Sequence, residues 1–171
     1  MKFEFDVELK DGKYIINGHE YDTDISTASG AFRSVLFRHI SDKFWKLDGL
    51  YNKAVYWPEE LQFAIQWTMN KRYIVHATNH MFDKLQQLHL PRGCYKAMLY
   101  GEVIEAEVEH GQVKKIITRL PHRFDDCLDL CAAIVFDKDE YGANVARVKT
   151  MWVNNWMDNH STICKENYVQ K

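Results

Sequence analysis

Apolar and charged residues alternate at the start of the chain, where Phe3, Phe5, Val7 and Leu9 are separated by Glu4, Asp6 and Glu8. A period of two predicts a strand with one buried face. Asp11-Gly12 is a hairpin turn signal, Tyr14, Ile15 and Ile16 begin a return strand, and Asn17-Gly18 before His19-Glu20-Tyr21 repeats the pattern. The period then becomes that of a helix. Phe32, Val35, Leu36, His39, Ile40, Lys43 and Phe44 recur at three- and four-residue steps across Asp24 to Leu47. Asp24 or Ser26 is its candidate N-cap and Asp48-Gly49 its stop. A second helix is predicted from Trp57-Pro58-Glu59-Glu60 to about Asn70, with Leu61, Ile65, Thr68 and Met69 along one face. Trp57, Phe63 and Trp67 add aromatic bulk and are read as core.

From Tyr73 the pattern changes again. Tyr73-Ile74-Val75 predicts a short strand, Ala77 to Leu90 a helix with Met81, Leu85 and Leu88 on one face, and Arg92 to Tyr100 a second short helix opened by Pro91. Four antiparallel strands are then expected over Val103–Glu109, Gln112–Leu120, Leu128–Phe136 and Asn144–Val153, with His110-Gly111 as the first turn. The apolar run Leu130 to Phe136 predicts a central strand covered on both faces. The fold class expected is α+β: a small antiparallel sheet of four to five strands packed by two short helices. Residues 1–72 form an N-terminal elaboration of hairpin and helices, and residues 73–171 the core and tail. With three prolines and no Gly/Ser-rich run, no linker separates them, so one compact unit is expected.

Composition changes this picture little. A formal charge of -2 gives no global basic footprint and counts against a protein held on nucleic acid by bulk charge alone. The balance is uneven, at net -3 for residues 1–70 and +1 for residues 71–171, so an anion site is expected in the second part. Cys94, Cys127, Cys131 and Cys164 form no CxxC pair, and the Cys127–Cys131 spacing exceeds that of a zinc hairpin. No metal and no cofactor are expected, and the thiols read as reduced, in a cytoplasmic protein. The N-terminus lacks an apolar signal core, and no apolar run approaches the roughly 18 residues that span a bilayer, so no membrane partner is expected.

Candidate chemistry gathers in the second part. His76 stands where the first strand gives way to a helix, and Lys114, Lys115, Arg119, Arg147, Lys149 and Thr150 lie on the strands that follow. Metal-free RNA cleavage needs a base for the ribose 2′-OH, an acid for the leaving 5′-oxygen, and cations for the charge that builds on phosphorus. Histidine suits the first two because it titrates near neutrality. Arginine suits the third because its planar fork binds two phosphate oxygens.

The stretches YIVHATNHM, LPRGCYKAMLYGEVIEAEVEHG, KKIITR, DLCAAIVF and RVKTMWVN together resemble the DUF4258 family. That family is similar to the group of small ribonuclease folds containing RelE, colicin D, colicin E5, barnase and EndoU. The resemblance covers about residues 73–155. It implies a RelE-like or colicin D-like fold and a metal-independent endoribonuclease, with tRNA among the RNA partners. His76-Ala77 matches the family's His-Ala pair, but His80 and Lys84 stand where the family often has an arginine. Thr150-Met151-Trp152 looks like the hydroxyl-x-Trp element of the colicin D-type nucleases, and Arg119 takes the place of a phosphate-binding residue.

In this reading His76, with His80 one turn later, supplies the acid–base chemistry. Arg119 clamps the phosphate with Lys149 or Arg147, Thr150 positions it, Trp152 stacks on a base, and Lys114 adds charge. Lys149 and Thr150 point to opposite faces unless a bulge intervenes, so Thr150 and Trp152 are preferred. The plainer roles are a helix-capping or solvated His76, an Arg119 paired across the hairpin with Glu105 or Glu107, a core Trp152, and a solvated acidic turn at Asp125 to Asp129. His122 and His160 are further candidates for a second acid. The alternative function is a catalytically silent binding protein, such as an RNA-binding regulator or a phage inhibitor of a host defence factor. The near-neutral charge and the missing helix arginine favour it. Its partner would be RNA or protein, or a second copy meeting through residues 1–72. The abundance of Asn, Trp and Tyr and an N-terminal half with no match suit a bacteriophage protein, and the resemblance also implies a toxin-type activity.

Overall fold

The computed structural model describes residues 6–16, 18–22 and 46–158. Three short strands, β1 (Val7–Lys10), β2 (Lys13–Ile16) and β3 (His19–Asp22), form an antiparallel meander in chain order. Asp11 and Gly12 both adopt positive φ, 52° and 76°, as a two-residue hairpin turn requires. β1 is exposed along its whole length, with Val7 at 62% and Leu9 at 63%, so the buried face expected from its alternation is absent there. Phe3, Phe5 and nearly all of the helix expected over Asp24 to Leu47 lie outside the described residues. Lys46 and Leu47 at its end are not helical.

The main body is a six-stranded sheet in the order β4-β6-β7-β8-β9-β5. Its strands are β4 (Gly49–Asn52), β5 (Ile74–Ala77), β6 (Glu102–Glu109), β7 (Gln112–Asp125), β8 (Leu128–Lys138) and β9 (Asn144–Asn155). The four expected antiparallel strands form with nearly the expected limits. Two expectations are corrected. The sheet has six strands rather than four to five, and β5 runs parallel to β9. β4, from the first 72 residues, pairs with β6 and completes the sheet edge.

Helix α1 (Glu59–Met69) starts after Pro58 and carries Glu59 and Glu60 in its first turn, where they complement the helix dipole. Helix α2 (Asn79–Gln87) begins later than expected because Thr78 is its N-cap. The Thr78 hydroxyl accepts the Met81 N–H at 3.2 Å. The strand therefore runs on through His76 and Ala77. The segment Cys94–Tyr100 is a 3-10 helix. Gly101 after it is required by space, since a Cβ there would stand 2.8 Å from the Arg119 carbonyl oxygen.

The helices cover one face of the sheet. Ile116, Leu130, Ala132, Ile134, Val148 and Met151 meet Leu61 and Ile65 of α1, Met81 and Leu85 of α2, and Met98. Burying each large side chain of this set contributes about 1.5–3 kcal/mol. α1 shares that core with α2, which ties the two parts of the chain together. On the opposite face a small cluster of Ile104, Ile117 and Ala133 packs with Trp152. β8 is buried without interruption from Asp129 to Ile134, as expected of a central strand.

Candidate functional site

Strand pairing decides which candidate side chains share a face. One rung runs across the sheet through Glu107, Lys115, Val135, Arg147 and His76. His76 and Arg147 are direct neighbours in the parallel pair and project from the face opposite the helices. Further along β9 the register shifts: Val148 pairs with Ile134, but Thr150 pairs with Ala133, leaving Lys149 as the extra residue of a β-bulge. Without it Arg147 and Thr150 would face opposite ways. With it Arg147, Thr150 and Trp152 stand on the same face as His76.

The bulge is anchored to α2. The Thr78 hydroxyl donates to the Lys149 carbonyl at 3.2 Å while capping the helix. The first turn of α2 carries no acid and presents the exposed His80. His80 is thus on the helix rather than on a continuous helical face with His76, which is on the strand. The side chains of His76, His80, Arg147 and Lys149 make no hydrogen bond or ion pair among the described residues. His76, Arg147, Lys149 and the first turn of α2 with His80 thus lie on adjoining elements at this sheet edge, with His76 and Arg147 on the face opposite the helix. Such an arrangement can accept phosphate oxygens.

Arg119 lies elsewhere. It is on the same face, but β8 and β9 separate its strand from β5, about 14 Å at the usual strand spacing. Its rung holds Cys131 and Trp152, a further four residues along β7, which places it roughly 20 Å from His76. Its guanidinium is committed: Nε and Nη2 donate to Glu102 Oε2 at 3.2 and 2.5 Å, and Nη1 to Asp129 Oδ2 at 3.4 Å. Its carboxylate partners include Glu102, opposite it across the hairpin, and Asp129 on β8. Lys53 also pairs with Glu102, and burial first, then the Arg119 charge, push its ammonium below the ordinary lysine value. Arg119 and His76 do not meet on one phosphate.

The other candidates are dispersed. Thr150 is half-buried beside Ala133, and Trp152 is half-buried against the Ile104–Ile117–Ala133 cluster, opposite Cys131. Lys114 is the extra residue of a second bulge, on β7, and donates to Gln112 Oε1 at 3.1 Å. Lys115 faces Glu107 across the hairpin. The His122 side chain and all of His160 lie outside the described residues. Cys131 is fully buried, and its thiol is pushed up to about 12, chiefly by burial and then by Asp129. Among the described residues no group of three or more His, Cys, Asp or Glu side chains has metal-binding geometry, and no helix is long and apolar enough to cross a membrane.

Comparison with family models, curated proteins and solved structures finds no match to this chain.

Sequence reasoning missed one feature altogether. A cavity of about 400 Å³ lies beside the end of α1, lined by Trp67, Lys71, Tyr73, Lys114, Phe136 and Lys138 among others. Trp67 reads as core bulk in the sequence, and Lys71 and Lys138 carry no local signal. Only the pairing of β5 with β9 and of β8 with β9 brings them together.

Proposed function

We propose that this chain binds RNA at the edge formed by β5, the bulge of β9 and the first turn of α2, as an RNA-binding regulator rather than a nuclease. One observation carries the reading: His76, Arg147, Lys149 and His80 lie on adjoining elements there, and among the described residues their side chains make no hydrogen bond or ion pair. The ion-paired Arg119 argues against catalysis by the set the resemblance implies. The likeness of residues 73–155 to the DUF4258 family and its RelE-like, colicin D-like fold supports RNA as the ligand class.

The edge offers two cationic contacts, Arg147 and Lys149, so log Kd should change with log salt by roughly 1.4 for a single strand, far from the slope of a broadly basic protein. Anisotropy of a labelled single-stranded RNA and of tRNA, titrated at several salt concentrations, tests this. Arg147→Ala and Lys149→Ala should each weaken binding several-fold, and absence of binding at low salt would refute the proposal.

A second reading, the metal-independent endoribonuclease, is favoured by the placement of His76 and Arg147 on one rung, a proton acceptor beside a phosphate clamp. Incubation with total tRNA in EDTA separates the two. Discrete fragments ending in 2′,3′-cyclic phosphate, lost in both His76→Ala and Arg147→Ala, would establish the nuclease. Binding without cleavage supports the regulator.

A further inference from the structure

We propose that the cavity between the end of α1 and the β6–β7 turn is a binding site for a nucleoside phosphate, its base held by aromatic walls and its phosphate by three lysines. The inference does not rest on the β5–β9 edge. His76 and Arg147 project from the opposite face of the sheet, whereas Val113 and Phe136 in this lining belong to the helix-covered side.

Size and wall chemistry point the same way. About 400 Å³ is within the range of small-molecule sites and far exceeds what inorganic phosphate fills. Trp67, Tyr73 and Phe136 supply flat apolar surface, with the Tyr73 and Phe136 rings 5.0 Å apart. The Tyr73 hydroxyl donates to the Thr68 carbonyl at 2.7 Å, which fixes that wall. Aromatic walls of this kind suit a stacked base.

The charge of the lining favours an anion. Lys71, Lys114 and Lys138 form no ion pair among the described residues. Lys114 Nζ is held by Gln112 Oε1, and Lys138 Nζ donates to the Gly142 carbonyl at 3.4 Å. Among the described residues Lys71 has no such partner, and burial first, then the charge of Lys138, lower its pKa from the ordinary value. Two ammonium groups that disfavour each other gain when an anion comes between them. One carboxylate, Asp137, is also in the lining, with its Oδ1 accepting the Lys138 backbone N–H at 2.8 Å. Three lysines against one aspartate leave a surplus of about two positive charges, which matches a phosphate monoester near neutral pH.

The experiment titrates the full chain with AMP, GMP, CMP and UMP, following tryptophan fluorescence and calorimetric heat. Adenosine and inorganic phosphate are the controls. A 5′-phosphorylated oligoribonucleotide and its 5′-hydroxyl counterpart form a separate arm. At least one monophosphate should bind with Kd below about 1 mM, more tightly than adenosine or phosphate. Lys71→Gln with Lys138→Gln should weaken it about tenfold or more. Both lysines are exposed, so the variant should fold, and its unchanged affinity for 5′-hydroxyl RNA would separate this site from the β5–β9 edge. If the phosphorylated oligonucleotide competes with the monophosphate, the occupant is an RNA end; if not, it is a free nucleotide. Failure of both ligands to bind, equal affinity for adenosine, or indifference to the double substitution would overturn the proposal.

Discussion

Arg119 should act as a structural residue, and its removal should cost stability. Its partner Asp129 has a side chain only 1% exposed, on the central strand. Arg119→Ala removes one cation from that carboxylate and leaves Glu102 to Lys53 alone. Breaking a fully buried pair costs about 3–5 kcal/mol. Here Arg119 itself is 22% exposed, and its bond to Asp129 is long at 3.4 Å, so screening lowers the expectation to about 2–3 kcal/mol. For a body of this size that is a fall in Tm of roughly 5–10 °C. Lys53→Ala on the same Glu102 should cost under about 1 kcal/mol, because Lys53 is 51% exposed. Urea denaturation of both variants, with Asp129→Asn alone and combined with Arg119→Ala, measures the coupling directly. A coupling energy of at least about 1 kcal/mol is expected. If Arg119→Ala loses no more than Lys53→Ala, the buried carboxylate is not what holds Arg119, and the case against its catalytic role weakens with it.

Other perturbations read other parts of the fold. Thr78→Ala removes both the cap of α2 and the hydroxyl that holds the Lys149 carbonyl, and should cost about 1–2 kcal/mol in denaturant titration, whereas Thr78→Ser should keep most of it. Cys131 and Tyr73 ionise ordinarily at 9.0 and 10.0, and burial pushes both up to about 12. The unfolded chain therefore holds fewer protons than the folded one above pH 9. Stability should be full below that pH and fall toward pH 12, by up to about 1.4 kcal/mol per pH unit for each group, as urea midpoints at successive pH values would show. At pH 8 a maleimide should label the exposed Cys127 and spare Cys131 until the chain unfolds, with mass spectrometry of the labelled peptides as the check. Gly101→Ala should cost about 1–3 kcal/mol because the new methyl meets the Arg119 carbonyl, and a thermal melt equal to that of the parent would contradict this.

The long strands were legible because each contains its own evidence. β6, β8 and β9 follow apolar patterns that local periodicity detects, and His110-Gly111, with φ of 51° and 70°, is the turn that its residue types announce. β7 runs beyond the expected Leu120 through Pro121 to Asp125. Its pairing with β8 is interrupted between Leu120 and Asp125, so the N–H that proline lacks is not needed there. β4 was not expected, and β5 was expected as a strand at Tyr73-Ile74-Val75 but not as the parallel neighbour of β9. Each has four residues and a partner far along the chain, Val108 for Gly49 and Val145 for Ile74. A short strand whose partner is distant leaves little trace in a local window.

The candidate site divides along the same line. The partner of Arg119 could have been counted: a two-residue turn at His110-Gly111 pairs Glu109 with Gln112, and stepping back along both strands pairs Glu102 with Arg119. The bulge residues, Lys114 on β7 and Ile104 on β6, add one position to each strand and cancel, so the count survives them. The bulge at Lys149 has no counterpart on β8 and does not cancel. It turns Arg147 onto the face of Thr150, against the alternation a regular strand would impose, and no residue type in RVKTMW announces it. Its visible support is the Thr78 hydroxyl on the Lys149 carbonyl, a contact across 71 positions of sequence. The grouping of Arg147, Lys149 and Thr150 at the β5 edge therefore depends on where α2 begins, and Thr78 should be the residue through which a change in that helix reaches the proposed RNA contacts.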